Sequence, residues 1–170
     1  MGTDIEKLIA QAIKSINESE NSVKTAEIQK KKIDFISLDD AKVLCEYVEQ
    51  EARKMGVNAV VAVADSGGNL KICECMDDSY IASRDIAINK SFTSVSLKMS
   101  TKKLSVLAKP DGPLYGIQHT NAGKIVIFGG GDTLVCSGKI LGGLGVSGGS
   151  EEQDTELCAL GKKFFEEKFN

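Results

Sequence analysis

The chain has 170 residues, 42% of them hydrophobic and 26% charged, with a net charge of −3. That suffices for one domain with its own core, is too short for two ordinary domains, and has the balance of a soluble globular protein. No basic face argues for nucleic acid, and no apolar run approaches the ~20 residues of a membrane span.

The opening, MGTDIEKLIAQ, lacks the basic-then-apolar layout of a secretory signal, so the cytoplasm is the expected compartment. Ile5, Leu8, Ile9, Ala12, Ile13 and Ile16 make one apolar helical stripe, and Thr3 with Glu6 forms a capping box at its start. NESENSVKTAEIQKKK then offers almost nothing to bury and reads as a tether. The expected organisation is an amphipathic helix over 1–16, a flexible linker over 17–34 and a folded domain over 35–170. Such a helix serves attachment to another protein, or packs back on its own domain or on a symmetry mate.

Ser37 is placed to cap a helix whose apolar positions run from Leu38 to Met55, and Gly56 to stop it. NAVVAVAD, rich in Val, predicts a strand buried on both faces; DSGGN turns it, and LKICECM alternates as the returning strand. From Ser79 to about Met99 the pattern is helical. A short helix and a polar loop lead to three predicted strands, KIVIF, DTLVCS and KILGGLGVS, and a last helix begins at Ser150. Tight turns make paired strands antiparallel. The fold class is therefore α+β: an antiparallel five-stranded sheet flanked by helices, in the order α-ββ-α-βββ-α.

GGLGVSGGSEEQD contains a G-x-G-x-x-G at Gly143, Gly145 and Gly148. A dinucleotide loop needs a following helix and then a strand carrying an acid, which the sequence does not supply. Glu151, Glu152 and Asp154 in the first helical turn suit the helix dipole and would repel a pyrophosphate. The glycines read instead as sites of close backbone approach. Gly129, Gly130 and Gly131 either expose amides to an anion such as a carboxylate or propionate, or simply make a turn.

Five cysteines (45, 73, 75, 136, 158) are an odd number without a signal peptide, and read as reduced thiols. Cys73 and Cys75 fall on one face of a strand, and no second pair has zinc spacing. His119, the one histidine, is the one imidazole able to ligate a haem iron, or else an exposed loop residue without a role. Met76, Met99 and the cysteines are other possible ligands that fit core packing equally well. Asp65 is explained by capping its turn. No acid–base or nucleophile constellation assembles, and the reading leans away from an enzyme.

VAVADSGGNLK, ASRDIAINKSFTSVSLKMS, IVIFGGG and GKILGGLGVSGGSEEQD, in that order, resemble the GlcG/HbpS family of small haem-binding proteins. GPLYGIQ and GKIVIFGGG bring the likeness nearest to the C-terminal domain of PduO-type corrinoid adenosyltransferases, over about Ser37 to the end. The resemblance implies haem as cofactor (otherwise a corrinoid, or none) and a homo-oligomer, often an octamer. Lys90 matches a lysine that recurs in the family, which implies a group able to meet a propionate, or it is a solvated helix residue. TDIEKLIAQAIKSI resembles the encapsulation peptides that direct cargo into bacterial microcompartments, which implies shell or cargo partners for residues 1–16. The function so implied is a haem- or tetrapyrrole-binding accessory protein inside a microcompartment. The alternatives are a ligand-free oligomeric scaffold, or an enzyme on a small corrinoid-related or 2-hydroxy-acid substrate.

Overall fold

The computed structural model describes residues 35–169. The helix expected over 1–16 and the linker over 17–34 lie outside the described residues.

Helix α1 spans Leu38–Met55. Its Ser37 cap accepts the Asp40 amide at 3.1 Å, and Gly56, at φ 69°, ends it. Strands β1 (Val60–Asp65) and β2 (Leu70–Cys75) form a hairpin whose turn is tied by Asp65, which accepts the amides of Gly67 and Asn69 at 2.9 Å each. Helix α2 (Ile81–Leu97) follows without a side-chain cap at Tyr80, and α3 (Thr101–Ala108) is capped by Ser100. Two 3₁₀ turns, Ile117–His119 and Asn121–Gly123, lead to β3 (Gly131–Cys136), β4 (Lys139–Ser147) and the last helix α4 (Glu151–Phe169).

The sheet holds four strands among the described residues, ordered β2-β1-β4-β3 and antiparallel throughout. The expected fifth strand, KIVIF, is absent from it. Ile125 and Val126 are buried as their apolar character demands, but the Val126 amide is satisfied by a side chain. The Thr93 hydroxyl accepts the Val126 amide at 3.0 Å and lies 3.2 Å from the Lys124 carbonyl. An amide bonded to a helix threonine is not offered to a neighbouring strand.

Helix α2 covers one sheet face, while α1 and α4 cover the other. On the α2 face Ala62 stands opposite Gly145, and Ala64 opposite Gly143. A Cβ on Gly145 would run into the Ala87 carbonyl, and one on Gly143 would come within 2.5 Å of the Ser91 carbonyl. The glycines of the G-x-G thus let a helix settle onto a strand. The helix answers with small buried residues: the Ser91 hydroxyl donates to the Ile88 carbonyl, and that of Ser94 to the Ser91 carbonyl. On the far face Leu44, Val48 and Leu144 close around Gly161, and the Tyr47 and Phe164 rings stack 4.2 Å apart between α1 and α4.

Candidate functional site

Two adjoining clefts open where the start of α2, the end of β4 and the first turn of α4 meet. One, of about 290 Å³, is walled by Tyr80, Ile86 and Phe128, with Ser147, Gly149 and Asp154 at its base. The other, of about 490 Å³, shares Tyr80, Gly148 and Gly149 and runs on towards Asn58 and Gln153. Tyr80 is 70% exposed, its neighbour Ile81 97% and Phe128 39%. Clustered large apolar groups facing solvent are an interaction surface by default.

Lys90 lies beneath this cleft, with none of its surface exposed, so it is not a solvated helix residue. It sits one turn from Ala87 on the face of α2 that meets the sheet. Its ammonium donates to Asp154 Oδ2 at 2.7 Å and to the Val146 carbonyl at 2.8 Å, and faces the Phe128 ring at 4.9 Å. Burial lowers the lysine pKa, and the Asp154 carboxylate opposes that shift. Asp154 Oδ1 accepts the Gly149 amide at 2.9 Å. One buried ion pair thereby ties α2, the end of β4 and the first turn of α4, the three elements that frame the cleft. Lys90 is a positioning residue there, not a cation offered to solvent.

Of the three glycines, Gly130 passes directly over this ammonium. A Cβ on Gly130, whose φ is +107°, would stand 2.6 Å from Lys90 Nζ. The Gly129 amide donates to Glu151 Oε1 at 3.0 Å and the Gly131 amide to Thr101 Oγ1 at 2.9 Å. Those two amides are engaged within the fold rather than presented to an external anion. The Gly129 amide, with Lys102 hydrogen-bonded at 3.0 Å, holds the Glu151 carboxyl below its usual pKa.

His119 lies elsewhere, on the exposed turn Ile117–His119, and lines neither cleft; its Nε2 is 3.4 Å from Gln118 Nε2. Met76 Sδ accepts the Ala59 amide at 3.3 Å. The structure thus brings Lys90 and Gly129–Gly131 together and leaves His119 apart. It adds Tyr80, Phe128 and Asp154, which sequence reasoning passed over. Asp154 reads as a helix-end acid, and Phe128 as part of a strand. Nothing in the sequence marks Tyr80. Among the described residues no group of three or more His, Cys, Asp or Glu is placed to hold a metal, and no helix is long and apolar enough to cross a membrane.

A family model described as haem-degrading protein, HbpS-like, matches residues 36–162. A 15.0 kDa protein from the dhaT-dhaS intergenic region of Citrobacter freundii is 40% identical over 132 residues, 78% of this chain and 93% of that protein. The corrinoid adenosyltransferase PduO of Salmonella typhimurium is 36% identical over 123 residues, 72% of this chain but 37% of that enzyme. Among solved structures, Klebsiella pneumoniae ORFY superposes with a TM-score of 0.76 at 36% identity, covering 79% of this chain and 93% of that one. The PduOC:haem complex does so with a TM-score of 0.73 at 34% identity, covering 76% and 94%.

Proposed function

Because the chain belongs to the family of haem-degrading HbpS-like proteins, we propose that it is a haem- or tetrapyrrole-binding accessory protein associated with a bacterial microcompartment. The observation that carries the proposal is the cleft between Tyr80, Ile86 and Phe128. The residues present fit a flat macrocycle. Aromatic and aliphatic walls suit its faces, Gly148 and Gly149 put no bulky side chain at its edge, and both clefts open to water for its carboxylate arms. Ligand pockets of this kind run to roughly 300–1,000 Å³, which the two clefts together reach. The PduOC:haem complex, which shares this fold, supports the same reading.

Haem would bring an iron that an imidazole or a phenolate can ligate. His119 is the single imidazole, and Tyr80 supplies a phenol in the cleft itself. Lys90 and Asp154 hold the frame beneath. The protein works as a homo-oligomer, for which Ile81, at 97% exposure, offers apolar surface. The address to the compartment is carried by the stripe over residues 1–16.

Haemin titrated into the purified chain is expected to give a shifted Soret band that saturates, with weaker uptake in Phe128→Ala. His119→Ala moves the band if the imidazole ligates iron; Tyr80→Phe moves it if the phenol does. No shifted band in the wild type overturns the proposal.

A further inference from the structure

The five cysteines divide into two kinds. Cys45, Cys136 and Cys158 are buried at separate points of the core. Cys73 is half-buried and Cys75 exposed, and both stand on β2, an edge strand of the sheet. Their register opposite Ala62 and Val60 puts both side chains on the α2 face, where Cys73 packs against Val60, Ala62 and Ala87. We propose that Cys73 and Cys75 form a dithiolate site for a soft, two-coordinate d¹⁰ cation, with Cu(I) as the type ion.

The number of donors selects the ion. The described residues offer no third His, Cys, Asp or Glu to complete a larger set, and the Met76 sulfur is already engaged by the Ala59 amide. Zinc in a structural site requires four ligands, whereas thiolates select Cu(I) by softness. Spacing argues against the rival fate, a disulfide. Successive same-face residues of a strand lie ~6.6–6.8 Å apart, at the upper limit of the Cα separation a disulfide tolerates. A linear sulfur–metal–sulfur bridge spans the pair with the sulfurs well beyond the ~2.05 Å of a disulfide bond.

Binding forms two Cu–S bonds and releases two protons, with no change of oxidation state. The dithiolate complex carries one negative charge, close to the ion pair that Arg84 makes with Asp85 at 3.1 Å. Neither cysteine lines the two clefts, and the site does not depend on them.

The full chain, reduced and free of oxygen, is titrated with Cu(I) in competition with bicinchoninate. One ion per chain is expected. Cys73→Ser and Cys75→Ser each lose that uptake, whereas Cys45→Ser, Cys136→Ser and Cys158→Ser, taken singly, keep it. Alkylation of the wild-type chain, read by mass spectrometry, gives a second readout that needs no variant: Cu(I) protects Cys73 and Cys75 specifically. Uptake that persists in the Cys73→Ser/Cys75→Ser double variant, unprotected thiols at both positions, or no uptake against the competitor overturns the proposal.

Discussion

The Lys90 ammonium and the Asp154 carboxylate meet at 2.7 Å with 0% and 5% of their side chains exposed. Breaking a buried pair from one side leaves an uncompensated charge, at a cost of about 3–5 kcal/mol. Asp154→Asn is expected to lose that much in urea unfolding. Adding Lys90→Met removes the stranded ammonium and is expected to recover most of the loss. Additive losses in the double variant would show that the two groups are not energetically coupled.

Stability on the acid side depends in part on Glu151. Its folded pKa lies below the ordinary glutamate value of about 4.5, because the Gly129 amide and Lys102 favour the carboxylate. The unfolded chain therefore takes up its proton first as pH falls, so this stabilisation is full above about 4.5 and lost as pH drops through the folded value. Glu151→Gln keeps an acceptor for the Gly129 amide and removes the titration. The variant is expected to show a shallower loss of stability over that window, by urea midpoints taken at successive pH values.

Gly145→Ala tests the contact of helix and strand. The new methyl would run into the Ala87 carbonyl, which is backbone and cannot rotate away. Overpacking of this kind costs ~1–3 kcal/mol, and more where backbone must move. Gly138→Ala is the control: its φ of +76° strains a side chain, but no atom lies within 4 Å of the new methyl. Thermal unfolding is expected to rank Gly145→Ala as the more damaging change.

Thr93→Val keeps the shape of the side chain and removes the hydroxyl that holds the segment after the 3₁₀ turns. The buried Val126 amide then loses its acceptor, at a cost of ~1–3 kcal/mol. Hydrogen exchange is expected to speed at Val126 well beyond the change at β1 amides. Equal acceleration everywhere would mean global destabilisation instead of local release.

That same segment marks the limit of what the sequence made legible. Local chemistry located α1 through Ser37 and Gly56, the β1–β2 turn through Asp65, and the role of Gly143 and Gly145 in close approach. KIVIF has the apolar content of a strand, but strand pairing depends on a partner edge that no local window reveals, and here Thr93 supplies the bonds. The candidate site was legible in pieces. Lys90 and the glycine triplet were singled out, but their meeting with Asp154 joins positions 64 residues apart in the chain. The burial that turns Lys90 from a surface cation into a clamp is a tertiary property.

The proposed division of the chain predicts that ligand uptake and address separate cleanly. The family model matches residues 36–162, and the residues from Asp34 onward form one compact unit of their own. Every group that frames the two clefts lies between Gly56 and Asp154. A chain starting at Asp34 is therefore expected to unfold cooperatively and to show the same haemin titration as the full chain. Residues 1–16 fused to a fluorescent reporter carry the stripe of Ile5, Leu8, Ile9, Ala12, Ile13 and Ile16 without the fold, and are expected to gather the reporter into foci in cells that make microcompartments. Charging the stripe by Leu8→Glu with Ile13→Glu should disperse those foci, since groove binding rests on the buried apolar face. A reporter that stays diffuse without those changes removes the address claim and leaves the ligand claim standing.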